Sequence, residues 1–397
     1  MKKSFVFTSE SVTEGHPDKL CDQISDAFVD HILSRDPHAR VVAECAVATS
    51  ILFIAARFDT NVPIDFPSVA REVVGQVGYT DSQFNAKTCS ILTSLREMAP
   101  DDLSRFDERN LSDEEIGRVV ARNQVTVFGY ACTQTPAFMP LPIWLAHKLA
   151  RRLTSVRFQK LLPYLAPDGW TQVGVEYQDR ITPSRIQSLT LIASTRGKEC
   201  TLDGLQHDLM EAVVEPVFAD EPLRPDPRTR IFINPDGLFQ GGGPSIHSGL
   251  TGRKNAIDTY GEYSRHSGAA LSGKDPLRID RSGAYAARHA AKNVVAAGLA
   301  KECEVLLSYS IGLAEPVSIQ VETFGTGTIP DDEITERLER FFDFRPAAIL
   351  RQFNLRYLPA VVKGGFYRKL AAYGHVGRMD IGLPWELTDK AQLLRSG

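Results

Sequence analysis

The chain has 397 residues, 43% apolar and 24% charged, enough to bury a large core and to divide into roughly two or three domains, which excludes a single small module. Its 45 basic and 49 acidic residues leave a net charge of −4, so no broad basic surface awaits nucleic acid or anionic lipid, and any anion site has to be local. Six cysteines lie far apart with no CxxC pair, against a disulfide framework or zinc site, and no stretch nears the roughly 20 apolar residues of a membrane span; a soluble protein of a reducing cytoplasm is expected.

In chain order, Leu20, Ile24, Phe28 and Ile32 recur at helical spacing after Pro17, with Asp22, Asp26 and Asp30 on other faces, and Asp36-Pro37 ends the run. The β-branched runs 41–48 and 51–58, joined at Thr49-Ser50, predict a hairpin with much of its length buried. Strands are expected at 173–177 and 189–193, then a helix carrying Leu202, Leu205, Leu209 and Val213 that stops before Pro216. A short strand at 231–233 runs into the turn Asn234-Pro235-Asp236-Gly237. Ser282 is placed to cap an alanine-rich helix reaching about residue 300, followed by strands at 305–311 and 317–324 and a helix capped by Asp331 with Ile334, Leu338 and Phe341. Hairpin-like pairs without regular βαβ alternation favour an α+β fold of mostly antiparallel sheets layered with helices. The charged 100–113 stretch and the turn-rich 234–243 stretch place domains at 1–102, 103–234 and 235–397.

Two segments carry chemistry. Residues 241–281 interleave glycine turns with Arg253, Lys254, Lys274 and Arg278, as a chain wrapping backbone and positive charge around a polyphosphate would. His16, Asp18 and Lys19 stand where a helix begins; free backbone N–H groups there favour anions, although for an isolated HPDK capping by an acidic residue is the favoured reading. Glu44, inside VVAECAVA, is paired, protonated or cation-bound if buried, or faces water at an edge. The phosphate loop GxxxxGK with a following hydroxyl is missing, since SGKDP has Asp275 there; GTGT lacks dinucleotide spacing, and no GxSxG occurs.

The strings FTSESVTEGHPDKLCDQISDA, MPLPIWLAHKLARRL, FINPDG, GLTGRKNAIDTYG, SGKDPLRIDRSGAYAARHAAKNVVAAGLA, SIGLAEPVSIQVETFGTG and WELTDKAQLLR run end to end through the chain. In them it resembles the S-adenosylmethionine synthetases, also called methionine adenosyltransferases. The resemblance implies three similar α+β domains, a homodimer or dimer of dimers with sites at the subunit interface, and transfer of the adenosyl group of ATP to methionine with release of pyrophosphate and phosphate. It implies His16 near the breaking bond, Mg²⁺ on Asp18 and Asp280, K⁺ on Glu44, and the phosphates held by Arg253, Lys254, Lys274 and Arg278. It further implies adenine between Phe232 and Ile311, and a nucleotide site lined by Ala270, Asp168 and His247. Read on its own, Phe232 is an ordinary core aromatic.

Departures from the family pattern gather on the acceptor side. Arg57 stands where the resemblance implies an acid facing the methionine ammonium, Met98 where it implies glutamine, Asn123 and His247 where it implies aspartates, and Trp170 where it implies lysine. That side is about three charge units more positive than the family's, which disfavours an ammonium. Two alternatives stay open: the same ATP chemistry with a non-methionine acceptor or plain hydrolysis of ATP or tripolyphosphate, and a non-catalytic nucleotide-binding homologue.

Overall fold

The computed structural model describes residues 5–80, 84–99, 105–197 and 200–397. Three sheets carry the architecture. In the first, β1 (Phe5–Val12) pairs antiparallel with β6 (Leu165–Tyr177) and β6 with β7 (Pro183–Thr195), while β8 (Arg230–Ile233) and β9 (Phe239–Gln240) run parallel to β7. The second has the order β10 (Gly249–Leu250), β2 (Arg40–Ala48), β3 (Ile51–Asp59), β4 (Ser90–Glu97), with only β3 and β4 parallel. The third is antiparallel throughout: β12 (Ser318–Glu322), β11 (Glu302–Tyr309), β5 (Val125–Cys132).

Each sheet borrows an edge strand from a distant part of the chain: Phe5 pairs with Tyr177, Val47 with Gly249, and Cys132 with Glu302. The sheets therefore cross both expected domain cuts. The cut at 102/103 lies outside the described residues, and that at 234/235 falls just beyond β8.

Helices cover one face of each sheet, giving the expected α+β class. Helices α1 (Pro17–Leu33) and α2 (Phe66–Val77) bury Leu20, Ile24, Phe28, Val73 and Val74 against the second sheet. The helix Leu141–Phe158 packs on β1 and β6, and Ile279–Ala296 on β5 and β11. Gly129 in β5 permits that last contact, because a Cβ there would lie 2.0 Å from the Ala287 carbonyl. Among the described residues no helix is long and apolar enough to cross a membrane.

Several local expectations are corrected. The β2–β3 hairpin forms at the expected place but buries only one face, because its side chains alternate. Asp22, Asp26 and Asp30 are buried rather than solvated. The helix beginning at Leu202 continues past Pro216 to Phe218 through a π turn at Met210–Val214; wider hydrogen bonding around the proline's missing N–H suits such a turn. Ser282 lies inside its helix, which starts at Ile279 and ends at Ala296; Arg278 is the capping position, and Ser282 Oγ donates to its carbonyl at 3.4 Å. Asp331 is the first residue of its helix, after Pro330, and its carboxylate accepts from the Thr323 N–H at 3.2 Å. The strands near it stop at Tyr309 and span only Ser318–Glu322.

Candidate active site at two helix N-termini

His16 is the residue that precedes α1, and its Nδ1 accepts from the Asp18 N–H at 3.2 Å. Neutral imidazole with Nδ1 accepting keeps its proton on Nε2. The ring is buried, and burial, reinforced by Lys254, His247, Lys19 and Arg253, lowers its pKa to about 2. Asp18 accepts through Oδ1 from the Leu250 N–H at 2.9 Å and from Arg253 Nε at 2.8 Å. Lys254 pairs with Glu10 at 3.0 Å. Gly249 lets this loop reach the helix end: a Cβ there would sit 2.2 Å from the Pro17 carbonyl. Ala270 lies directly against Gly252 in the same loop system.

Beside His16 stand three residues from the first sheet and the loop after it. His247 Nε2 lies 2.8 Å from Asp168 Oδ2, which also accepts from the Gly243 N–H at 2.7 Å. The Trp170 ring packs tilted against His247 at 5.2 Å and meets His16 edge-on at 5.4 Å, while the two histidine rings are 5.0 Å apart. Burial raises the pKa of Asp168 and the His247 hydrogen bond opposes it. Trp170 and His247, expected on the acceptor side, thus stand directly beside His16.

A second group gathers where the helix Ile279–Ala296 begins. Lys274 Nζ lies 3.0 Å from Asp280 Oδ1, and Asn123 Nδ2 reaches both Asp280 oxygens at 2.8 and 2.9 Å. Asn123 therefore sits on Asp280; an aspartate at that position would put two carboxylates in contact unless a cation bridged them. Arg278, at the cap of this helix, is half-buried. Leu250 pairs with Ala46 and Lys274 bridges to Val42. At about 3.3 Å per residue the two cation groups attach to β2 some 13 Å apart.

The remaining candidates lie elsewhere. Glu44 is exposed on the open face of β2, in register with Ala55 and, one strand on, Ser94. Arg57 is exposed on the same face beside Arg96. Met98 is half-buried just past β4, its N–H bonded to the Phe58 carbonyl at 2.7 Å. Phe232 and Ile311 are both exposed but stand on different sheets, Phe232 on β8 with the Arg230 guanidinium 5.9 Å from its ring centre, Ile311 beyond the end of β11.

Sequence reading missed what holds the cationic loops. Asp18, Asp22, Asp26 and Asp30 form one buried row along α1, each accepting main-chain N–H groups from another segment: Leu250 at 2.9 Å, Gly252 at 2.7 Å, Gly273 at 2.8 Å, and Tyr367 and Arg368 at 3.0 and 2.9 Å. Asp26 also takes both contacts of Arg281, at 2.7 Å each, and Lys19 links Asp22 to Asp258. The four-residue spacing was the available signal.

Three family models match in succession: the N-terminal domain of S-adenosylmethionine synthetase over residues 4–100, its central domain over 118–239 and its C-terminal domain over 241–387. The chain is 48% identical to an S-adenosylmethionine synthase of Rippkaea orientalis, covering 100% of this chain and 97% of the relative. It is 49% identical to that of Thermosynechococcus vestitus, covering 99% and 97%. With every domain matched and identity near one half along the whole length, the chain belongs to the S-adenosylmethionine synthetase family.

Proposed function

We propose that the protein is a methionine adenosyltransferase that forms S-adenosylmethionine from ATP and L-methionine. The methionine sulfur attacks C5′ of ATP, the C5′–oxygen bond breaks with its electron pair leaving on the triphosphate, and water then divides the triphosphate into pyrophosphate and phosphate. The observation that carries this reading is the neutral, buried His16 with Nε2–H free to donate, set beside Arg253 and Lys254. A neutral donor strengthens its hydrogen bond as charge builds on the departing oxygen, without having to give up its proton. Arg253, Lys254, Lys274 and Arg278 hold the triphosphate, with Ala270, Asp168 and His247 lining the nucleotide site and Phe232 and Ile311 the adenine.

Asp18 and Asp280 would hold Mg²⁺: both are buried oxygen donors beside fixed cations, and magnesium takes one or two carboxylates plus phosphate oxygens. Bound there, the ion neutralises charge on the leaving group. Glu44 would give K⁺ one carboxylate, with further donors from a second subunit. That subunit covers the open face of the second sheet, where Leu250, Phe53 and Leu92 form one row and are 45%, 41% and 55% exposed. Homodimerisation through this face would bring the α1 group of one protomer to the Lys274 group of the other, in a homodimer or a dimer of dimers. The unpaired thiols suit a cytoplasmic setting.

Arg57 beside Arg96 favours a second reading, an acceptor that brings a carboxylate rather than an ammonium to this face. Incubation with ATP, Mg²⁺, K⁺ and either methionine or thioethers bearing a second acid, followed by mass spectrometry, separates the two. S-adenosylmethionine as the main product establishes the first; an adduct of the diacid supports the second. Phosphate release without any adduct, or binding of ATP without turnover, defeats both.

A further inference from the structure

We infer that His16, Asp168 and His247 form a binding site for a transition-metal ion of the zinc type, separate from the oxygen-only magnesium carboxylates. One donor atom from each of the three lies within 4.8 Å of the other two. Two imidazoles and a carboxylate select zinc, cobalt or nickel over magnesium, and three protein ligands leave a fourth position open.

Asp168 supplies an independent sign of a missing ligand. Its side chain is 1% exposed, Oδ2 serves Gly243 and His247, and Oδ1 is enclosed with no hydrogen-bond partner. A buried carboxylate oxygen left without a donor carries an uncompensated desolvation penalty, and a metal ion removes it. The 2.8 Å between His247 Nε2 and Asp168 Oδ2, now bridged by a proton, is about half an ångström shorter than the spacing of neighbouring ligands on a tetrahedral ion. Ligands at about 2.05 Å on a tetrahedral zinc are roughly 3.3 Å apart, so the widest gap has to close by at most about 1.5 Å.

To ligate through Nε2, His16 has to take its other tautomer and give up the bond that Nδ1 accepts from the Asp18 N–H. Asp18 Oδ2 lies 3.7 Å from its Nδ1. If the proton moves from Nε2 to Nδ1, the carboxylate can receive it and Nε2 becomes a metal ligand, the carboxylate–histidine–metal arrangement that orients such rings. Trp170, packed on both rings, limits their other orientations. The same change removes the Nε2–H donor, so the bound ion blocks adenosyl transfer. Binding itself stands independently of the proposed function; only the inhibition rests on it.

The nucleotide-free protein should bind one Co²⁺ per chain with the visible absorption of a low-coordinate site, and Zn²⁺ should displace it. In the unaltered chain Zn²⁺ should shift the imidazole resonances of His16 and His247 together. His247→Asn, at a partly exposed side chain, should weaken Zn²⁺ binding by on the order of 100-fold with unchanged circular dichroism. A cobalt spectrum of six-coordinate type, resonances that stay put, or equal Zn²⁺ affinity in His247→Asn would overturn the site. Zinc binding that vanishes in His247→Asn while the parent enzyme shows no adenosyl transfer would uphold the site and count against the proposed reaction alone.

Discussion

His16 shows how one side chain acquires a fixed role from its surroundings. Burial among Lys254, His247, Lys19 and Arg253 keeps it neutral near pH 7, and the Asp18 N–H assigns the proton to Nε2. His16→Ala should lower kcat by on the order of 10²–10³-fold, and the parent's pH–rate profile should contain no limb between pH 5 and 8 that disappears in this variant. The same burial affects stability. The folded pKa lies below the ordinary 6.5, so between about 2 and 6.5 the unfolded chain takes up a proton that the folded one refuses, and stability falls as pH drops through that window. In His16→Asn that fall should be shallower by up to about 1.4 kcal/mol per pH unit, read from denaturant midpoints between pH 4 and 6. Lys274→Ala should cost on the order of 10²-fold or more in kcat, since it removes a cation from the leaving group and leaves Asp280 short of a partner. Arg57→Glu should raise kcat/KM for methionine if the native acceptor is a diacid; an unchanged or lower value would dismiss that reading. At this scale the sequence was legible in residue type: His16, Asp18, Arg253 and Lys254 do converge. What it hid was side-chain company, because Trp170 and His247 are 77 positions apart and meet only when β6 and the 241–247 loop fold together.

The row of aspartates makes α1 an organiser of loops as well as a core helix. Asp22 holds Gly252, next to Arg253, and Asp26 holds Gly273, next to Lys274, so the helix fixes the spacing of both cation groups. Asp26→Ala should destabilise the protein by about 3–5 kcal/mol, because Arg281 would be left buried without its charge partner; a loss under about 1 kcal/mol in chemical denaturation would contradict this. Asp26→Asn, which keeps an acceptor for Gly273, should retain the loop better than alanine. Apolar periodicity located α1, the hairpin and the alanine-rich helix correctly. The acids of α1 could only be placed on its other faces, because a pattern of charge cannot say which face another segment covers. Likewise Pro216 looked like a stop signal until a π turn carried the helix past it.

Across the whole molecule, the open face of the second sheet is the largest unfinished business of a single chain. Phe53→Asp should yield monomers by sedimentation equilibrium with an unchanged circular dichroism spectrum, and activity should fall by more than about tenfold, since each site would lose the half supplied by the neighbouring copy; a fully active monomer would refute that arrangement. The α+β class was readable from hairpin-like runs, whereas the exchange of edge strands was not, because short strands such as β10 carry too little pattern to reveal their partners. That exchange bears on how the chain comes to be made. A ribosome releases β1 long before β6, and β2 some 200 residues before β10, so the first two sheets wait for strands made much later before they can close. The nascent protein must keep these unfinished edges from pairing with strangers until 165–177 and 249–250 emerge, and each pairing is governed by loop closure over a long stretch of chain.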